Sequence, residues 1–231
     1  MKSKVQDIIS PPEIREKIQS FKDLPKDVIK ELIVALQNPK FKTFVNSKGE
    51  PGRINIFSKE NNMRYVFDRD FNLLGEWPYL RGAVPGDHLN TADPDSPSKA
   101  GATTMSGHGV FGKPEKSPEI WKEYKTPFTP IIYNKFGYTG IGSHGTYEGE
   151  FVDRTKRLYS SESANRLISY GCLNNPKCKL EKLPDRQGDS VFITPESKDI
   201  VEKLKYIKRN KLKVGEEVPI NWKEIIASLD K

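Results

Sequence analysis

The period of the apolar residues changes from that of a helix to that of a strand near residue 50. Before this point, apolar side chains recur every three or four positions in two segments, 13–21 and the stretch that follows Pro25. The second stretch places its apolar residues along one helical face, at Val28, Ile29, Leu32, Ile33 and Leu36. We therefore expect residues 1–50 to form a small helical unit, either an appendage packed on the main domain or a linker to a partner domain.

Strand periodicity follows directly after this helical unit. Apolar and polar residues alternate in the segments 54–57 and 63–67, and Asn61-Asn62 is typical of a turn between them. A second turn at 69–72 leads to the segment 73–77. These segments predict an antiparallel meander.

The rest of the chain alternates strands with irregular segments. We expect strands over 103–111 and 188–193, and a long glycine- and proline-rich loop over 82–103. Four prolines break up the aromatic-rich segment 112–139, which we expect to be irregular.

Ser160 and Ser161 are typical helix N-caps, and a short helix after them would end at the segment 169–172. The tail 195–231 is predicted to be partly helical. Together these elements predict a fold that is mainly β with helices, in the α+β class.

Composition excludes several kinds of protein. The chain has 231 residues, of which 35% are hydrophobic and 30% charged, as in globular proteins. Charged residues interrupt its most apolar run, so no membrane span is expected, and its basic start lacks the apolar core of a signal peptide. The net charge of +7 favours polyanions, but no nucleic-acid-binding motif accompanies it, so nucleic acid is not an expected partner.

The chain contains two cysteines, Cys172 and Cys178, and three histidines. Two cysteines are too few for a disulfide scaffold, and a bond between them would block a reactive thiol, so we expect the reduced form to be active. A zinc site would need two further ligands, and the acidic residues of 82–103 lack the spacing of a calcium loop. No metal or other cofactor is therefore expected.

His144 and Cys172 carry the strongest chemical signal. His144 ends an apolar, glycine-flanked segment, and Cys172 follows Gly171 in a tight turn. A thiol is a weak nucleophile until a base makes it a thiolate, and imidazole titrates in the right range to do so. Gly171 lets the backbone turn so that N–H groups can face a developing oxyanion. The pair indicates a nucleophile and its base; a core histidine and a structural cysteine are the open alternative.

Two motifs, His-Gly-Thr at 144–146 and Ser-x-Gly-Cys-x-Asn at 169–174, resemble those of the L,D-transpeptidase (YkuD-type) catalytic domain family. Segment 54–67 resembles the opening hairpin of that family, 96–101 its Pro-Gly loop and 188–193 its final strand. The resemblance covers about residues 52–194. It implies a YkuD-type β-sandwich core flanked by the appendages 1–50 and 195–231, with 112–139 as a flap over the cleft.

The resemblance also implies roles for single residues. Cys172 would be the nucleophile and His144 the base that lowers its pKa below the ~8.5 of a free thiol. Backbone N–H groups of the turn and the Tyr170 hydroxyl would stabilise the oxyanion. A main-chain oxygen, such as that of Gly145, would hold the second imidazole nitrogen. The expected catalytic set is Cys172, His144, Gly171, Ser169 and Tyr170, and the expected substrate-binding set is His108, Gly145, Thr146 and Asn174.

The implied activity is crosslinking of bacterial peptidoglycan. An acyl group would pass from a stem peptide, through a cysteine thioester, to an acceptor amine, and carbapenem β-lactams would be inhibitors. Two alternatives stay open: an L,D-carboxypeptidase or endopeptidase with the same dyad, and an inactive module that binds wall or polyanion. Tyr170 and the long separation of His144 from Cys172 would favour the inactive module. The expected location is the periplasm or cell wall. Because that location requires export and no signal peptide is recognised, we expect either a chain that has been trimmed or an effector secreted by another route.

Overall fold

The computed structural model describes residues 16–17, 19–38, 40–82, 104, 106–146, 158–159, 169 and 171–195. Its helices are α1 (Lys26–Leu36), α2 (Lys40–Thr43), α3 (Pro118–Tyr124) and α4 (Lys177–Lys182). Its strands are β1 (Ile54–Ser58), β2 (Met63–Phe67), β3 (Leu73–Pro78), β4 (Gly107–Phe111), β5 (Thr129–Tyr133), β6 (Gly137–Thr146), β7 (Leu173–Pro176) and β8 (Ser190–Ile193). The predicted α+β class, mainly β, is confirmed. The predicted helix after Ser161, most of the loop 82–103 and most of the tail 195–231 lie outside the described residues.

Helix α1 packs on one face of the sheet. It begins directly after Pro25, and it buries Val28, Leu32 and Ala35 in a cluster with residues of β1, β2 and β8. Each large aliphatic side chain buried in this way contributes about 1.5–3 kcal/mol. Asp27 fixes the start of the helix, because its carboxylate accepts hydrogen bonds from side chains at the ends of β1 and β8. The domain boundaries predicted from the sequence stay a prediction.

The predicted antiparallel meander of β1, β2 and β3 is confirmed. The alternation in β1 predicts one face toward solvent, yet all five of its residues are buried. The reason is that α1 covers one face of β1 and the bent sheet covers the other. The polar residues of β1 therefore need internal partners: Asn55 donates to the Ser190 carbonyl at 3.1 Å, and Ser58 donates to Asp27 at 2.7 Å.

All eight strands form one mixed sheet in the order β3-β2-β1-β8-β4-β5-β6-β7. The sheet bends until its edges meet, because Leu80, just after β3, exchanges two hydrogen bonds of 2.9 Å with Asn174 of β7. Its inner face holds the second hydrophobic cluster, formed by Phe57, Tyr79, Phe111, Ile131, Tyr133, Ile141, Leu173, Val191 and Ile193.

The segment 112–139 is more regular than the sequence predicts. It contains α3, the whole of β5 and the first residues of β6, and β5 lies inside the sheet between β4 and β6. Proline is tolerated inside a sheet mainly at bulges and strand ends. Pro130 meets both conditions, because it is the second residue of β5 and the β5–β6 register shifts between Pro130 and Ile132. The prolines that suggested an irregular segment are therefore accommodated within strand structure.

Candidate active site

The parallel pairing of β6 with β7 brings the two motif residues together. In this register His144 lies opposite Asn174. Cys172 directly precedes β7, at the level of Gly142, so His144 and Cys172 lie on neighbouring chain segments two positions apart along the ladder. Parallel neighbours need a long crossover connection, which the many residues between the two motifs supply. Part of the separation between His144 and Cys172 is thus needed for the crossover.

The imidazole of His144 is held by the backbone. The residue is only 3% exposed, and its Nδ1 lies 2.9 Å from the carbonyl oxygen of Gly145. A carbonyl can only accept a hydrogen bond, so Nδ1 carries the proton and Nε2 carries the basic lone pair. This is the main-chain contact that the sequence led us to expect.

Gly145 is required by close packing. Its N–H donates to Oγ1 of Thr126 at 2.9 Å, and a Cβ at this position would lie 2.5 Å from the Thr126 methyl group. A larger residue would therefore push β6 away from Thr126 and disturb the carbonyl that holds His144.

The backbone turn before Cys172 is fixed by side chains. Gly171 has φ +102°, a conformation that glycine adopts at little cost. Its carbonyl accepts from Thr104 Oγ1 at 2.7 Å, and its N–H donates to Ser169 Oγ at 3.1 Å. The Ser169 hydroxyl in turn donates to the Cys172 carbonyl. Ser169 thus helps to hold the turn, and its membership of the catalytic set stays a prediction. The Gly171 N–H, predicted to face the oxyanion, is instead bonded to Ser169, and Tyr170 lies outside the described residues.

Burial raises the pKa of the Cys172 thiol, and a hydrogen bond from the Gly142 backbone partly opposes this shift. The direction is opposite to the one that the sequence led us to expect. Desolvation disfavours the thiolate, and the prediction from the motif did not include that cost. At neutral pH the resting thiol is therefore protonated, so a base must remove its proton during attack.

Two tyrosines lie within electrostatic range of this sulfur. Burial raises the pKa of Tyr133, and a negative charge on Cys172 raises it further. Burial also raises the pKa of Tyr138, again with a contribution from Cys172, although 57% of Tyr138 is exposed. Both phenols therefore keep their protons at neutral pH and can act as hydrogen-bond donors.

The four residues predicted to bind substrate have other contacts. His108, on β4, places Nε2 2.8 Å from a carboxylate oxygen of Glu31 on α1, which raises the pKa of the imidazole. β5 separates it from β6, so it does not join His144. Gly145, Thr146 and Asn174 are buried: Thr146 donates to the Asn175 carbonyl at 3.0 Å, and Asn174 donates to the Cys172 carbonyl at 3.1 Å. In the structure these three residues contribute to holding the strands, and their role in substrate binding stays a prediction.

A cavity of about 1110 Å³ lies beside this region, between the turn 46–50, the segment 113–129 and α4. Thr126 is part of its wall, whereas Cys172 and His144 are not. The cavity therefore adjoins Thr126, which holds Gly145 next to His144, and neither His144 nor Cys172 lines it.

Sequence reasoning did not identify Thr126, Gly142 or Asn175 as parts of the site. Thr126 acts through its hydroxyl, which accepts from the Gly145 N–H, and Gly142 acts through its backbone. Both contacts depend on how the chain folds around β6, for which the sequence carries no local signal. Asn175 stands in Asn174-Asn175-Pro176, a run typical of a loop, yet it lies in β7.

Among the described residues, no group of histidine, cysteine and acidic side chains is suited to holding a metal ion. In the same part of the chain, no helix combines the length and the apolar character needed to cross a membrane.

Comparisons with known proteins found similarity at the level of solved structures. No family model matches the chain, and no curated protein matches it. Similar structures include an L,D-transpeptidase from Mycobacterium smegmatis, with 13% identity, a TM-score of 0.38, and coverage of 63% of this chain and 60% of the other. Bd1075 of Bdellovibrio bacteriovorus aligns with 16% identity and a TM-score of 0.42 over 72% of this chain and 58% of its own.

A third structure, the helical cell shape determining protein Pgp2 of Campylobacter jejuni, aligns with 18% identity and a TM-score of 0.38 over 70% of this chain and 56% of its own. The chain thus spans about 60% of the length of these proteins. With TM-scores below 0.5, the alignments assign no activity to the chain.

The raised thiol pKa is open to direct measurement. In a Cys178→Ala protein, where Cys172 is the one remaining cysteine, we expect the rate of iodoacetamide alkylation to rise with pH around a midpoint above the ~8.5 of a free thiol. A small free thiol measured in the same buffers is the reference. A midpoint below that of the reference thiol would show that burial does not dominate.

Proposed function

We propose that the chain is a cysteine-dependent acyltransferase of the L,D-transpeptidase type, which passes an acyl group from a peptidoglycan stem peptide to an acceptor amine. The observation that supports it most directly is the β6–β7 pairing. It sets His144, with its proton on Nδ1, on the strand next to the one that Cys172 directly precedes. These are the residues to which the motif resemblance gives the roles of base and nucleophile.

In the first half of the reaction, Nε2 of His144 takes the proton of the Cys172 thiol as the sulfur attacks the amide carbonyl carbon of the donor peptide. Because burial raises the thiol pKa, proton removal accompanies attack instead of preceding it. The tetrahedral intermediate then collapses: the carbon–nitrogen bond breaks, the leaving amine takes the proton from His144, and a thioester remains on Cys172.

In the second half, the acceptor amine attacks the thioester carbonyl and gives a proton to His144. Collapse of this second intermediate breaks the carbon–sulfur bond, and the proton returns to the departing sulfur. Water in place of the amine would give hydrolysis, so exclusion of water decides between transferase and hydrolase.

The developing oxyanion needs hydrogen-bond donors. The Gly171 N–H is bonded to Ser169, so the backbone donor proposed here is the N–H of Cys172. A phenol hydroxyl would assist it, and Tyr138 is the proposed candidate because it is exposed to solvent and lies within electrostatic range of the sulfur.

The substrate and location follow from the same proposal. Stem peptides carry carboxylates, and the net charge of +7 on the chain favours its association with an acidic cell wall. The reaction would take place in the periplasm or the cell wall.

Purified muropeptides test the proposal. We expect the protein to produce crosslinked dimers, detected by mass spectrometry, and Cys172→Ala to lower the rate by at least about 10³-fold, because the nucleophile is lost. Cys178→Ala is the matched control: this cysteine is exposed on α4, so most activity should remain.

Each other outcome is informative. Release of a free amino acid without dimers would assign hydrolysis to the same dyad. Turnover by Cys172→Ala, or loss of turnover in Cys178→Ala alone, would remove Cys172 from the mechanism.

A carbapenem is the second probe, because its strained lactam carbonyl is an amide mimic that the sulfur can attack. We expect one adduct in the intact mass, on the peptide that contains Cys172, and none in Cys172→Ala. If Tyr170 narrows the oxyanion pocket, acylation will be slow and Tyr170→His will speed it. An absence of adduct in wild type and Tyr170→His after prolonged incubation would favour the inactive-module alternative.

A further inference from the structure

Asn175 occupies the inner face of the sheet, directly behind the candidate site. Its side chain is fully buried, and its amide nitrogen donates to Ser143 Oγ at 2.9 Å and to the Leu173 carbonyl at 3.0 Å. The same nitrogen lies 3.5 Å from the His144 carbonyl oxygen. The amide therefore joins β6 to β7 at residues adjacent to both members of the dyad.

The orientation of this amide is fixed by what lies on its other side. Oδ1 of Asn175 accepts from Nη1 of Arg64 at 3.2 Å and from Nε1 of Trp77 at 2.9 Å. Arginine and tryptophan side chains can only donate, so the oxygen must face them and the nitrogen must face the two strands. A flipped amide would lose the hydrogen bonds with Arg64, Trp77 and the Leu173 carbonyl.

Arg64 makes the far side of this contact rigid. It is fully buried, is paired with Asp185 at 2.5 Å, and donates to Asn55 at 2.6 Å. Its guanidinium also lies about 5 Å from the centres of three aromatic rings, those of Phe57, Trp77 and Phe111. The Asn175 amide is therefore held from β2 and β3 while it holds β6 and β7.

We propose that Asn175 is a positioning residue. Its amide sets the position of His144, on β6, relative to Cys172, which directly precedes β7. This inference rests on the proposed function, in which His144 is the base for Cys172. On this proposal, buried polar residues on the inner face of the sheet position the base as well as pack the core.

Asn55 offers a matched control. It is also a fully buried asparagine that accepts a hydrogen bond from Arg64, and its amide donates to a strand carbonyl, that of Ser190 on β8. Its contacts lie on β1, β2 and β8, away from the dyad strands. Asn55→Leu and Asn175→Leu therefore each remove a buried amide and an acceptor for Arg64 from the same network, but only Asn175→Leu also removes the acceptor for Trp77 and the amide bridge between β6 and β7.

The experiment measures alkylation of Cys172 by iodoacetamide across pH, in Cys178→Ala protein, together with the melting temperature. Near neutral pH the thiol is protonated and its reaction needs the base, whereas above the titration midpoint it does not. We expect Asn175→Leu to slow alkylation about 10-fold or more near neutral pH, since small displacements of a base are costly, and to match the parent above the midpoint. Asn55→Leu should lower the melting temperature and leave the profile unchanged.

Two further variants separate the possible failures. If Asn175→Leu does not fold, Ser143→Ala replaces it as the test. Ser143→Ala removes one acceptor of the Asn175 amide without leaving Arg64 unpaired, and we expect a smaller change of the same kind in the alkylation profile. His144→Ala tests the base itself: an unchanged profile in this variant would overturn the proposed function. A changed profile in His144→Ala, with unchanged profiles in Asn175→Leu and Ser143→Ala, would overturn the positioning role alone. Equal changes in Asn175→Leu and Asn55→Leu would assign the effect to general loss of packing.

Discussion

The parallel pairing of β6 with β7 is the contact on which the candidate site depends. It puts residues from two distant motifs on neighbouring strands, and it sets which residue faces which: His144 opposite Asn174, and Gly145 opposite Asn175. A slip of one residue would turn every side chain of β7 to the other face. The backbone carbonyl of Gly145, which fixes the tautomer of His144, belongs to the same ladder. The relative positions of His144 and Cys172 are therefore set by strand register.

Buried polar groups hold this register from the inside. A guanidinium taken out of water is costly unless its hydrogen bonds are replaced, and the Nη atoms of Arg64 bond Asp185, Asn55 and Asn175 while the group lies against aromatic rings. The sheet edges are joined by a second contact, between Leu80 and Asn174. The two asparagines that follow Leu173 thus work on opposite faces of β7, one at the Cys172 carbonyl and one in the core.

The sequence predicts some elements of this fold and not others. The motifs around His144 and Cys172 identified the residues that the fold brings together, and the helical face after Pro25 and the meander were visible as simple periods. β5 and β7 could not be predicted in this way, because Pro130 and the run Asn174-Asn175-Pro176 are typical of loops. These segments are strands because they pair with β6. The thiol pKa was predicted in the wrong direction, since burial is a property of the folded chain.

The central claim is that Cys172 carries the acyl group between donor and acceptor. Rapid acid quench of the protein with a peptidoglycan stem peptide, followed by intact mass and peptide mapping, tests it most directly. The account predicts a transient thioester on Cys172, with an added mass equal to the donor peptide without its leaving amine. Product that accumulates while Cys172 stays unmodified at every time point, or an acyl group found on Cys178, would contradict it.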